Sequence, residues 1–181
     1  AKTDLFAELD ETVFTFRERA LRDGIEVKYS IPEVPAIANA DANRLKQVFM
    51  NILDNALKYS RSPSKIYVKA EFTKLDNLNF VKIAIADQGC GISKEDLPHV
   101  KEMFYKANVS VRGSGIGLAV TNEIVNLHHG KLEIDSQEGK GTLVTIYLPV
   151  ENSPTKNELN DMKQNETVQD AEINEGVEIN K

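Results

Sequence analysis

Between Asp41 and Tyr59 the chain repeats apolar residues at helical spacing: Leu45, Val48, Phe49, Ile52, Leu53, Ala56 and Leu57. The stripe is too broad to stay wet, so this helix must lie against a second layer. Asp41 is a ready N-cap, and the stretch from Ser60 to Ser64 ends the helix. The flanking segments say what the second layer is. Lys65 to Phe72 and Phe80 to Asp87 read as two strands of a hairpin around Asp76 and Asn77. Leu132 to Ser136 and Thr142 to Leu148 read as a second pair around Gly139, Lys140 and Gly141. Upstream, residues 3–23 predict a helix with Thr3 as its N-cap and Gly24 as its stop, followed by a strand from Ile25 to Ile31. Pro32 and Pro35 mark a connection to a short strand over Ala36 to Ala40, and a last helix runs from Gly115 to His128, closed by His129 and Gly130. Helices mixed with antiparallel hairpins predict an α+β fold, a two-layer α/β sandwich with a mixed sheet packed on helices.

At 181 residues the chain suits one well-buried domain, expected over residues 1–150. Residues 1–150 hold 19 basic and 20 acidic side chains, whereas residues 151–181 hold 3 basic and 8 acidic ones and no aromatic residue. With few apolar residues to bury, 151–181 is expected to be an acidic, disordered tail. The near-neutral body carries no basic stripe, which argues against nucleic-acid binding. The longest charge-free stretches are ten residues, far short of the roughly 20 that a membrane-spanning helix needs. A single cysteine, Cys90, excludes an internal disulfide and fits a reducing cytoplasm. The first residue is Ala, which suggests an excised or processed chain whose upstream segments could carry membrane anchors or sensors.

Three places carry residues suited to chemistry. Asn51, Asn55 and Lys58 fall on one stripe of the 41–59 helix, beside its apolar centre. Two carboxamides and a cation could receive a hydrated hard metal ion and phosphate oxygens; an ordinary solvated helix face is the alternative. Asp87 ends an apolar strand and is followed by Gly89 and Gly91, which let a ligand approach the backbone. Its carboxylate could accept a hydrogen bond from an exocyclic amine, or simply cap a tight turn. Gly113, Gly115 and Gly117 precede the last helix, where free N–H groups and the helix dipole suit phosphate. The long irregular stretch from Gly89 to Ser114 is the length of a functional lid. The P-loop and dinucleotide fingerprints are both absent, with Val120 in the last fingerprint position.

In that order these segments resemble the ATP-binding catalytic domain of sensor histidine kinases, within the family shared with gyrase B, the ninety-kilodalton heat-shock chaperone and mismatch-repair ATPases. Arg44 to Val48 with Asn51 to Ser60 resembles the N box, and Asp87 to Ile92 the first glycine box. Met103 to Lys106 resembles the F box, Gly113 to Val120 the second glycine box, and Gly139 to Thr142 the last. The resemblance implies a Bergerat-type ATP-binding fold over about residues 3–150. It also implies that Asn55 ligates Mg2+ with Asn51 assisting, and that Lys58 and Tyr59 touch phosphates. Asp87 would bind the adenine amine, Gly89, Gly91 and Ile92 would line the base pocket, and Thr142 would hold a water against the base. Gly113, Gly115, Gly117 and Leu118 would anchor the lid, with Lys106 and Arg112 as candidate phosphate contacts. Phe104 would couple the lid to the helix that presents a histidine.

Hydrolytic relatives carry a glutamate four residues before the metal asparagine; here that position is Asn51. An amide cannot take a proton from water, so the resemblance points to a protein-histidine kinase rather than a hydrolase. It implies ATP and Mg2+ as cofactors. Its implied partners are a histidine-bearing helical dimerisation domain upstream, in a homodimeric parent, and a response regulator. The phosphoacceptor histidine is missing, since no histidine precedes His99. A regulatory ATP-binding module that transfers nothing, and a hydrolytic ATPase, are the competing functions. His128 and His129 are expected to be structural, and His99 exposed.

Overall fold

The computed structural model describes residues 1–102 and 117–178. Strand β1 (Lys2–Asp4) leads into helix α1 (Leu5–Arg22), then β2 (Ile25–Ser30), β3 (Ile37–Asn39) and helix α2 (Ala42–Tyr59). Strands β4 (Ser64–Leu75) and β5 (Leu78–Asp87) form the long hairpin, and a single 3-10 turn follows at Leu97–His99. Helix α3 (Gly117–Leu127) and the hairpin β6 (Lys131–Gln137) and β7 (Gly141–Pro149) complete the body, and α4 (Lys156–Gln164) and α5 (Val168–Glu178) follow it.

The main sheet runs β2-β4-β5-β7-β6, with β2 parallel to β4 and every other pair antiparallel. β1 pairs with β3 in a separate two-stranded ribbon. Alternation along the strands sends Ile66, Val68, Ile83, Ile85, Val144 and Ile146 to one face. There they are buried with Leu5, Leu9, Val13 and Phe16 of α1, Leu45, Val48, Phe49, Ile52 and Leu53 of α2, and Ile124 and Val125 of α3. The apolar stripe of 41–59 thus does what its breadth requires, and the mixed sheet packed on helices is the architecture expected.

Two expectations give way. Thr3 is not the N-cap of α1: it lies in β1, and its hydroxyl donates to the Ala40 carbonyl at 3.1 Å. Asp4 takes the cap, its Oδ1 accepting from the N–H groups of Phe6 and Ala7 and also from Ala36 at 3.0 Å. A carboxylate can serve three donors here, where a hydroxyl would serve fewer. The segment 151–181 is not disordered over its described part. Thr155 and Glu158 form a capping box for α4, and Ile173 and Val177 of α5 are buried on the sheet's other face with Tyr67, Ala84, Ala86 and Leu143. The composition is poor in apolar residues, but Ile173 and Val177 fall one helical turn apart against an apolar patch.

The β4–β5 hairpin is also longer than its alternation suggested, extending to a turn in which Asp76 and Asn77 both take positive φ, 49° and 64°. Asp and Asn tolerate that region better than most residues, and two such residues in succession match the twist of the strands.

Candidate functional site

Asp87 is the last residue of β5 and faces the helices, with a relative exposure of 7%. Its Oδ1 accepts from the N–H of Gly89 at 2.9 Å and of Thr142 at 3.2 Å. Burial pushes its carboxyl up to about 6, against the opposing pull of those two N–H groups. The glycines around it are there because other backbone comes close. A Cβ on Gly89 would strike the Tyr59 carbonyl, and one on Gly141, at φ 129°, would strike the carbonyl of Asp87 itself.

The turn after Asp87 is stitched to both layers. Cys90 N–H donates to the Tyr59 carbonyl at 3.2 Å, which ties the end of α2 to the turn, and Gly139 N–H donates to the Cys90 carbonyl at 2.7 Å. Ile92 N–H donates to Ser136 Oγ at 2.8 Å, and Ser136 Oγ lies 2.9 Å from Thr142 Oγ1 and 2.8 Å from the Gly141 carbonyl. Gln88 Oε1 accepts from Lys65 N–H at 2.9 Å on the β4 side.

From this turn the site continues back along α2. Tyr59 is half-buried, and burial first, then the neighbouring Cys90 thiol, push its phenol upward. One turn back, the Asn55 side chain is half-buried and makes no hydrogen bond among the described residues. Lys58 is exposed and has no ion pair among them. Asn51, a further turn back, donates from Nδ2 to Thr121 Oγ1 of α3 at 3.4 Å, and Thr121 is fully buried. Thr121 lies one helical turn after Gly117, so Asn51 sits near the start of α3.

The structure therefore brings Asn51, Asn55, Tyr59, Asp87, Gly89, Gly91, Ile92 and Thr142 into one run along the α2–β5 junction, with Lys58 beside it and Gly117 and Leu118 at its α3 end. Phe104, Gly113 and Gly115, with Lys106, Arg112 and most of the expected lid, lie outside the described residues. Sequence reasoning missed Ser136, Gln88 and Thr121. Ser136 could have been found from the hairpin register, which sets it opposite Thr142. His128 is structural, as expected: its Nδ1 sits 2.8 Å from the Ile124 carbonyl and its Nε2 accepts from Asp41 N–H at 3.1 Å, joining the end of α3 to the cap of α2. Lys101 Nζ donates to the Leu132 carbonyl at 2.8 Å, so it is a tie to β6 rather than a loose cation.

A family model described as histidine kinase-, DNA gyrase B-, and HSP90-like ATPase matches residues 40–152, a span that contains this whole run. The chain belongs to this ATPase family. Within it the likeness is to sensor histidine kinases. The ATPase-family chain is 34% identical over 151 residues to the non-motile and phage-resistance protein of Caulobacter vibrioides, covering 81% of this chain and 18% of that protein. It is 38% identical over 120 residues to sporulation kinase E of Bacillus subtilis, covering 66% and 15%. Among solved structures, the mycobacterial sensor histidine kinase MprB matches with a TM-score of 0.68 at 28% identity, covering 84% of this chain and 100% of that one. The chain spans less than a fifth of the two curated relatives just named. Among the described residues, no helix is long and apolar enough to cross a membrane.

Proposed function

We propose that this chain is the ATP-binding catalytic domain of a protein-histidine kinase. It binds Mg·ATP and passes the γ-phosphoryl group to a histidine on a helical dimerisation domain of its parent, from which a response regulator receives it. The P–O bond to the leaving ADP breaks as a P–N bond to the imidazole forms. The observation that carries this reading is the line of groups from buried Asp87, through Tyr59 and Asn55, whose side chain makes no hydrogen bond among the described residues, to Asn51.

Asp87 presents a buried acceptor of the kind an exocyclic adenine amine needs, held in place by two backbone donors. Gly89 and Gly91 let the Tyr59 and Gln137 backbone close in and so fix the turn, with Ile92 after it, beside which a flat base would seat, and the Ser136–Thr142 hydroxyl pair orders Thr142 there. The carboxamide oxygen of Asn55 suits Mg2+, a hard ion that takes few protein ligands and keeps water and phosphate oxygens for the rest. Among the described residues no group of three His, Cys, Asp or Glu side chains gathers as an alternative site. Bound there, Mg2+ would neutralise charge on the phosphates. Lys58, which has no ion pair among the described residues, adds a cation to the same face. Asn51 is oriented by Thr121 and cannot serve as a base, so water is not activated and the phosphoryl group is kept for a stronger nucleophile. The lone thiol and the need for ATP are consistent with a cytoplasmic location.

The test is a titration with Mg·ATP in which phosphate release is followed in the same sample, after which a histidine-bearing helical domain is added. Saturable binding, negligible release and label on the added histidine are expected. Steady release without it would replace the kinase with a hydrolase, and binding without transfer would leave a regulatory module. Asn55→Ala should lower transfer about a hundredfold or more while the melting temperature holds; full transfer by that variant would remove the metal assignment.

A further inference from the structure

The sheet face away from α1, α2 and α3 carries one apolar patch, and its position matters. Tyr67 pairs with Ala86 across β4 and β5, and Ala86 pairs with Leu143 across β5 and β7. The next residues along these strands, Ile66, Asp87 and Thr142, point the other way, toward the candidate base pocket. Asp87 and the Thr142 N–H that holds it are thus one strand thickness from the patch.

Helix α5 covers that patch. Ile173 and Val177 are buried against it, and Gly176 meets the Tyr67 ring so closely that a Cβ would run into three of the ring carbons. On the β2 and β4 side, Glu172 pairs with Lys65 at 2.7 Å and with Lys28 at 3.6 Å. The helix is started by a reciprocal cap, Thr167 N–H to Asp170 Oδ2 at 2.7 Å and Asp170 N–H to Thr167 Oγ1 at 3.2 Å. What joins α5 to the body holds on loosely: α4 has no buried residue. Two aliphatic side chains, one close glycine, two half-exposed ion pairs of Glu172 and a hydrogen bond between Asp170 and Ser30, set against the ordering of a whole helix, make a contact that can open while the body stays folded.

We infer that α5 is a reversible latch on the outer face of the sheet, and that its closure supports the base pocket directly behind it, so that latch and nucleotide favour one another. The inference rests on the reading of Asp87 as the adenine acceptor. With α5 away, Ala86 and Leu143 lose their cover, the ends of β5 and β7 loosen, and the Thr142 N–H no longer fixes Asp87. The docked and open positions of α5 are the two states that the site biases. Reciprocity requires that whatever α5 adds to nucleotide affinity, nucleotide returns to α5 as protection.

The experiment uses the full chain and measures ATP affinity alongside hydrogen exchange of the amides in 168–178. Two full-length variants open the latch: Gly176→Leu, which raises helix propensity but cannot approach Tyr67, and Ile173→Lys, which cannot bury its charge. Val168→Ala, at a position 90% exposed, is the control. ATP should slow exchange in α5 of the unaltered chain, and each opening variant should bind ATP about five- to tenfold more weakly, while the control changes neither. Unchanged ATP affinity in variants whose α5 exchanges freely would overturn the latch alone, as would binding that gives α5 no protection. No ATP binding by the unaltered chain would overturn the adenine reading and the latch with it.

Discussion

The two faces of the five-stranded sheet are built from alternate residues of the same strands, yet they hold on in different ways. The inner face is made of large branched side chains, Ile66, Val68, Ile83, Ile85 and Ile146 among them, each almost wholly buried under three helices. The outer face offers Tyr67, Ala84, Ala86 and Leu143 in a patch flanked by Lys28 and Lys65, and one helix covers it. Interdigitated aliphatic packing is cooperative and does not come apart locally. A small patch with a charged margin can be covered and uncovered. The face that carries the candidate binding groups is therefore the rigid one, and the other is available for adjustment.

The comparison is broken most directly by exchanging a side chain on each face. Ile83→Ala on the inner face should cost about 2–5 kcal/mol, read as a lowered urea midpoint of the whole body. Ile173→Ala should leave that midpoint in place and speed exchange over 168–178 instead, because its loss is local. An equal fall in both midpoints would mean that α5 is part of the cooperative core.

A second test sharpens the chemistry of the inner face. Asp87→Asn keeps the Oδ1 that accepts from Gly89 and Thr142, but turns the other oxygen into a donor, which would face the amine of an adenine seated in the proposed pocket. ATP affinity should fall by about ten- to a hundredfold, in keeping with a lost hydrogen bond to a charged group. A purine nucleotide bearing a carbonyl in place of the amine should lose less. Equal losses for both nucleotides would show that Asp87 shapes the turn without reading the base.

The same carboxylate gives a pH signature with a definite sign. Burial raises its folded-state value from 3.8 to about 6, so between those values the folded protein holds a proton that the unfolded chain has released. Its contribution to stability is therefore fully present below about pH 4, falls by up to about 3 kcal/mol as pH rises to about 6, and is flat above. Asp87→Asn should remove that part of the slope, as measured by urea unfolding across the range.

The smallest effect concerns the turn glycines. Gly139 has φ 81° with open space around it, so Gly139→Ala should cost about 1 kcal/mol from backbone strain alone. Gly141→Ala must also push its Cβ into the Asp87 carbonyl and should cost more, with weakened ATP binding as a second readout.

Much of this was legible in the sequence because it is local. The α2 stripe, its Asp41 cap and the two hairpins follow from periodicity and turn chemistry within a few residues. The α2 candidates came together because helical spacing fixes their face, and Asp87 joined them because a strand end and two glycines mark a turn. What was not legible depends on partners far along the chain. Asp4 outcompeted Thr3 as a cap because Ala36 N–H also needed an acceptor. Ile173, Gly176 and Val177 mean little in an acidic segment until Tyr67 is set opposite them. Thr121 orients Asn51 only once α3 lies on α2.

The hydrogen bond from the Cys90 N–H to the Tyr59 carbonyl fixes the register between the turn after Asp87 and α2. At 1.5 Å per residue, Asn55 then lies about 6 Å, and Asn51 about 12 Å, back along the helix axis from Tyr59. If the base seats at Asp87, the helix becomes a ruler with its zero mark at that bond, and counting phosphates becomes a measurement of length. A diphosphate would stop short of the graduation that a triphosphate reaches.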